Sequence, residues 1–215
     1  MKNIYLTFKG IDDFNRPIFK DINSKAHYGD TCKLYSWDTP PEEVIKHFSN
    51  NDSELCYFGE HFNCEPYGTR EENTKFIILT VYKTYQEMTQ AHSTRVNDFP
   101  FIFWAFSNEQ FAEGKKKIGI EEDSEILSTG AGGYIRKDKK EDYFLIFETN
   151  QAERELHFKN PTFLQKAMDY EMGNHEYIIT GDDSEIYGAL GLQEDEDNYK
   201  IFIQARKNYF EHANI

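Results

Sequence analysis

Hydrophobic periodicity changes at Tyr82, and that change constrains the fold more than any other feature of the chain. Up to residue 81, apolar and polar residues alternate with a period of two. Residues 3–9 alternate, residues 10–15 supply turn formers, and residues 16–20 resume the pattern, which predicts a β-hairpin or meander. Residues 32–37, 55–58 and 75–81 predict further strands, with a Gly-, Pro- and Asn-bearing loop over 59–73. One short helix is predicted from Asp38, where a cap is followed by Pro40, Pro41, Glu42 and Glu43, and it ends near His47 and Phe48. Residues 1–81 therefore predict a small antiparallel β-sheet module with one short helix.

From Tyr82 the spacing becomes helical. Tyr82, Tyr85, Met88 and Thr89 share one face, and the sequence from Asn97 to Pro100 breaks the pattern, so 82–98 is predicted as a connecting helix. A continuous apolar run, 101–106, has strand length and predicts a strand buried on both faces. Ser107 and Gln110 then open a helix that stops at Gly119. After the glycines of 129–133, residues 134–137 predict a strand. Helices are predicted over 138–157, 161–173, 183–190 and 198–213, with Gly173 and Gly191 at helix ends. Residues 99–215 thus form an acidic, helix-rich α+β module, and the fold class of the chain is α+β.

The 215 residues can bury a core without disulfide or metal staples, and 18 Phe and 14 Tyr predict an aromatic one with tyrosine hydroxyls at its edge. The net charge of −14 repels phosphate backbones, so direct binding of duplex nucleic acid is not expected. The excess is uneven: residues 1–98 hold 15 acids and 11 bases, and residues 99–215 hold 23 and 13. No apolar run approaches the ~20 residues of a membrane span. Asp12 and Asp13 follow the start where a secretory segment would be apolar, so a cytoplasmic location is expected. Three cysteines, an odd number, point to a reducing compartment rather than a disulfide framework.

The segments 103–111, 130–137, 170–177 and 205–209 together carry a resemblance. Over residues 99–212 the chain resembles a family of uncharacterised proteins associated with phages, plasmids and conjugative elements of gut bacteria. Residues 1–81, including 57–66, are similar to small stand-alone reading frames of the same kinds of element. The resemblance implies a setting and a two-module construction, and it transfers no catalytic residue.

Several constellations are candidates for chemistry. Cys56, His61 and Cys64, with Cys32 upstream, are four soft ligands of the kind a structural zinc uses, although no CxxC pair is present and buried cysteines commonly only pack. Asn174, His175 and Glu176 place an imidazole beside a carboxylate, which reads either as a polar catalytic site or as a structural histidine closing a helix. Residues 130–133, followed by Arg136 and Lys137, offer an anion nest or a tight turn. Lys115 to Lys117 sit at a helix C-terminus, and the bases of 136–140 lie beside Asp138, Glu141 and Asp142, so both read as solvated surface.

Three acidic clusters remain: Glu121, Glu122, Asp123 and Glu125; Asp182, Asp183 and Glu185; and Glu194, Asp195, Glu196 and Asp197. Locally they cap helices. Collectively, if they shared a face, they would imitate a phosphate backbone and engage a basic channel on a partner. The reading favoured is a non-enzymatic protein that binds a protein partner, without a cofactor. The alternatives are an enzyme built on the metal set or on His175 and Glu176, and a small-ligand module in which residues 101–106 line a pocket.

Overall fold

The computed structural model describes residues 2–50, 55–63, 65–66 and 73–212. The chain divides into two compact units, Met1–Val81 and Tyr82–Ile215.

In the first unit, β1 (Lys2–Ile11), β2 (Pro17–Asp21), β3 (His27–Gly29), β4 (Cys56–Gly59) and β5 (Thr74–Leu79) form one sheet in the order β4-β3-β2-β1-β5. The first four strands pair antiparallel, while β5 runs parallel to β1 with Leu6 opposite Ile78, so the sheet is mixed. The alternation of β1 turns Ile4 and Leu6 into a core completed by Val44 and Phe48 of α1 (Pro41–Asn50). Phe19 and Phe48 meet edge to face at 5.0 Å.

The β1–β2 connection is closed by a buried ion pair. Asp12 Oδ1 accepts the backbone N–H groups of Phe14 and Arg16, and Asp12 Oδ2 accepts Arg16 Nε at 2.7 Å. The guanidinium lies 4.7 Å over the Phe58 ring.

Residues 32–37 are not a strand. Asp30 Oδ1 accepts the N–H groups of Cys32 at 2.6 Å and Lys33 at 3.1 Å, an Asx turn that takes the donors a ladder would use. The preceding strand lies earlier, at β3, and Leu34 and Trp37 are exposed.

The second unit is helix-rich. It contains α2 (Tyr85–Asn97), β6 (Ile102–Trp104), α3 (Asn108–Lys117), β7 (Ile126–Gly130), β8 (Gly133–Arg136), α4 (Lys140–Phe158), α5 (Pro161–Asn174), α6 (Tyr177–Thr180), α7 (Asp183–Leu190) and α8 (Glu196–His212). The caps follow from side-chain chemistry. Thr84 and Glu87 form a reciprocal capping box on α2, while Ser107, Asn160 and Asp182 cap α3, α5 and α7. Gly191 ends α7 at φ 64°, whereas α5 continues past Gly173 and closes on His175.

The segment 82–98 does more than connect: Tyr85 and Met88 of α2 lie in the helical core with Met168, Met172, Ile186 and Phe202. The antiparallel sheet β6-β8-β7 has apolar residues on both faces. Ile102 and Ile135 pack with Tyr143 of α4, and Phe103 packs with Ile118, Phe111 and Tyr134. Gly114 of α3 permits that second contact, because a Cβ there would lie 2.0 Å from the Phe103 ring. Burial on both faces is confined to the start of the predicted apolar strand. At this sheet edge Trp104 is 42% and Phe106 78% exposed. No described helix is long and apolar enough to cross a membrane.

Candidate functional site

The most convergent set of chemically capable side chains lies between α2 and α4, around a carboxylate that no solvent reaches. Glu153 is 0% exposed. Its Oε2 accepts His92 Nε2 at 2.8 Å, Arg95 Nη1 at 3.1 Å and the Tyr82 hydroxyl at 3.3 Å; its Oε1 accepts Arg95 Nη2 at 3.2 Å. Arg95 thus forks over both carboxylate oxygens, and its Nη1 also donates to Asn150 Oδ1 at 2.5 Å.

One helical turn on, His157 faces the Glu153 backbone oxygen through Nδ1 at 2.7 Å and the Tyr82 backbone N–H through Nε2 at 2.7 Å. A carbonyl only accepts and an amide only donates, so this geometry selects the neutral Nδ1–H tautomer. Both Glu153 carboxylate oxygens and both His157 ring nitrogens have partners, as a buried network requires.

These residues escape motif reading because the side-chain partners of Glu153 lie 58 to 71 residues away in sequence. A signal was nevertheless present. Positions 85, 88, 92 and 95 continue one helical stripe, as do 143, 146, 150, 153 and 157. Polar residues at stripe positions on two helices require one another's company.

The predicted sites fare differently. Cys32 is exposed in the loop after β3, Cys56 is half-buried at the start of β4, His61 is exposed beyond β4, and Cys64 lies outside the described residues. Among the described residues, no group of three or more His, Cys, Asp or Glu side chains is placed to hold a metal.

His175 caps α5, and the carboxylates near it are not that of Glu176. Its Nε2 is 3.6 Å from Glu171 and its Nδ1 3.7 Å from Glu185. Glu176 is exposed in a left-handed conformation (φ 49°) before α6. Asn174 donates to Glu171 at 3.0 Å, and Glu171 also accepts the Tyr85 hydroxyl at 2.7 Å. Burial, then that carboxylate, pushes the Tyr85 phenol well above its usual range. Residues 130–132, at φ 88°, 48° and 80°, turn the β7–β8 hairpin, and Arg136 is held by Asp138 at 3.0 and 2.7 Å.

Of the residues in the three predicted acidic clusters, all but the half-buried Asp183 are exposed. Residues of two clusters, Asp183, Glu194 and Asp195, act electrostatically on the buried Tyr187 hydroxyl, which has no hydrogen-bond partner among the described residues. Burial first, and then these carboxylates, push the Tyr187 phenol up to about 12. Asp183 also accepts the Tyr177 hydroxyl at 2.5 Å. The cluster at 121–125 stands apart in the small-sheet region, where Lys115 bonds Asp123 and the Glu121 carbonyl.

Sheet module and helix-rich module together define an α+β protein, with a buried carboxylate network in its second unit. The chain belongs to a family of unknown function, DUF7659, whose model matches residues 84–211. The match takes in α2 and leaves the first unit outside. No curated protein and no solved structure matches the chain.

Proposed function

We propose that this chain is a non-enzymatic accessory protein that binds a protein partner through its acidic surface. It serves a phage or mobile genetic element by occupying the nucleic-acid channel of a host defence enzyme. The observation that supports this reading is that Asp183, Glu194 and Asp195, from two of the acidic clusters, all act electrostatically on the Tyr187 phenol, within the more acidic half of the chain. Carboxylates spaced along a rigid helical scaffold attract the lysines and arginines that otherwise hold phosphates. The mobile-element setting rests on the sequence resemblance over 99–212.

The test is capture of host nucleic-acid-binding enzymes by the tagged protein, with duplex DNA as competitor. The expected complex is displaced by DNA, dissolves as salt rises, and is lost in the D183N/E194Q/D195N variant. Binding that survives ~1 M salt, where the Debye length is ~3 Å, or that the triple variant retains, overturns the reading.

A further inference from the structure

A groove of ≈ 530 Å³ opens on the second unit, walled by α2, α4 and the end of β6. Its chemistry differs from the rest of this acidic chain. The lining includes His92, Trp104, Phe147, Asn150, Gln151 and Arg154, and no carboxylate side chain is among its residues. The buried acid Glu153 is already paired with Arg95 and hydrogen-bonded to His92. Arg154, in contrast, makes no ion pair with any described residue, and its buried Nε has no hydrogen-bond partner among them. An uncommitted guanidinium in a chain of net charge −14 is a local site for an anion.

The other walls specify what the anion is attached to. Trp104 and Phe147 come from different elements, are 42% and 46% exposed, and present aromatic surface to the same groove. Such rings gain most from a flat partner. Asn150 spends its amide oxygen on Arg95, and Gln151 spends its amide nitrogen on Glu155. That leaves one amide donor and one amide acceptor side by side, the pattern that reads the edge of a heteroaromatic ring. The volume lies within the range of small-molecule sites, and the Glu153 network beneath His92 holds the α2 and α4 walls in place before any ligand arrives.

We propose that this groove binds a mononucleotide, its base against Trp104 and Phe147 and its phosphate on Arg154. The site is independent of the acidic surface, and its test needs no partner protein. Trp37→Phe leaves Trp104 as the sole tryptophan, and Trp37 is an exposed loop residue of the first unit. In that background, AMP, GMP, CMP and UMP are titrated separately while Trp104 fluorescence is followed. Adenosine, inorganic phosphate and an aromatic carboxylate such as benzoate serve as comparison ligands.

The expected result is saturable quenching by at least one nucleotide at submillimolar concentration, with each comparison ligand weaker by about tenfold or more. Arg154→Gln and Phe147→Ala should each weaken nucleotide binding by about tenfold or more, with helical circular dichroism unchanged. If Arg154→Gln does not fold, the exposed position Phe147→Ala decides alone. Three results would overturn the proposal: no saturation by any nucleotide up to ~10 mM, affinity unchanged in the folded variants, or a comparison ligand that binds as well as the nucleotides.

Discussion

Each unit buries a carboxylate completely and answers it with an arginine, but the two pairs are built in opposite ways. Asp12 and Arg16 are four residues apart in the turn between β1 and β2, and Asp12 also accepts two backbone amides of that turn. Glu153 receives Arg95 and His92 from 58 and 61 residues away and accepts side-chain groups across two helices. The first pair shapes a local connection. The second is a tertiary device that joins α2 to α4. The same chemistry therefore supports a hairpin in one unit and helix register in the other, and only in the second do the arginine and histidine partners of the carboxylate come from distant parts of the chain.

The sharpest way to break this contrast is Glu153→Ala, which leaves a guanidinium and an imidazole facing a buried site without their acceptor. It should cost about 3–5 kcal/mol, read as a loss of helical circular dichroism at lower denaturant, since among the described residues seven of the eight α-helices lie in the second unit. Next in size is Asp12→Asn, which keeps an oxygen for the turn amides but gives up the charge-assisted bonds to Arg16. About 1–3 kcal/mol is expected, visible as faster amide exchange in β1 and β2 and little change elsewhere. If both variants destabilise both units equally, the local and tertiary roles are not distinct.

Thr84→Ala tests the capping box at the start of α2 and should cost about 1 kcal/mol in the second unit, measured by thermal unfolding. The smallest effect concerns Asp182. Hydrogen bonds from the Ser184 hydroxyl, and then from backbone amides, hold its carboxyl below the usual carboxylate range. Because the folded value is depressed, the stabilisation is present above the unfolded range of ~4 and is lost as pH falls through the folded value. Asp182→Asn should therefore flatten the acid limb of the melting-temperature profile, and an unchanged slope would remove the cap from the account.

What was legible in the sequence divides along the same line as the two ion pairs. The caps at Thr84, Ser107, Asn160 and Asp182 are local chemistry, and Ser107 and Asp182 could be read from the residues alone. The Cys32–Trp37 segment was misread because its apolar residues suit a strand, whereas Asp30, two residues before it, diverts the amides that a strand would pair. His175 and Glu176 are neighbours in sequence that take different partners in space. His92 and Glu153 are distant in sequence and 2.8 Å apart. The acidic residues could be counted but not placed: that Asp183, Glu194 and Asp195 all act on the Tyr187 phenol depends on how α7 and the loop before α8 fold.

The bond from the Tyr82 amide to His157 makes the physical edge of the second unit differ from the edge of its family match. A fragment cut at residue 84 would retain every helix of the unit yet leave His157 Nε2 without its amide donor and Glu153 without the Tyr82 hydroxyl. Tyr82, two residues before the match, therefore acts as a clasp. A piece of this protein that keeps both bonds of the second unit has to include Tyr82.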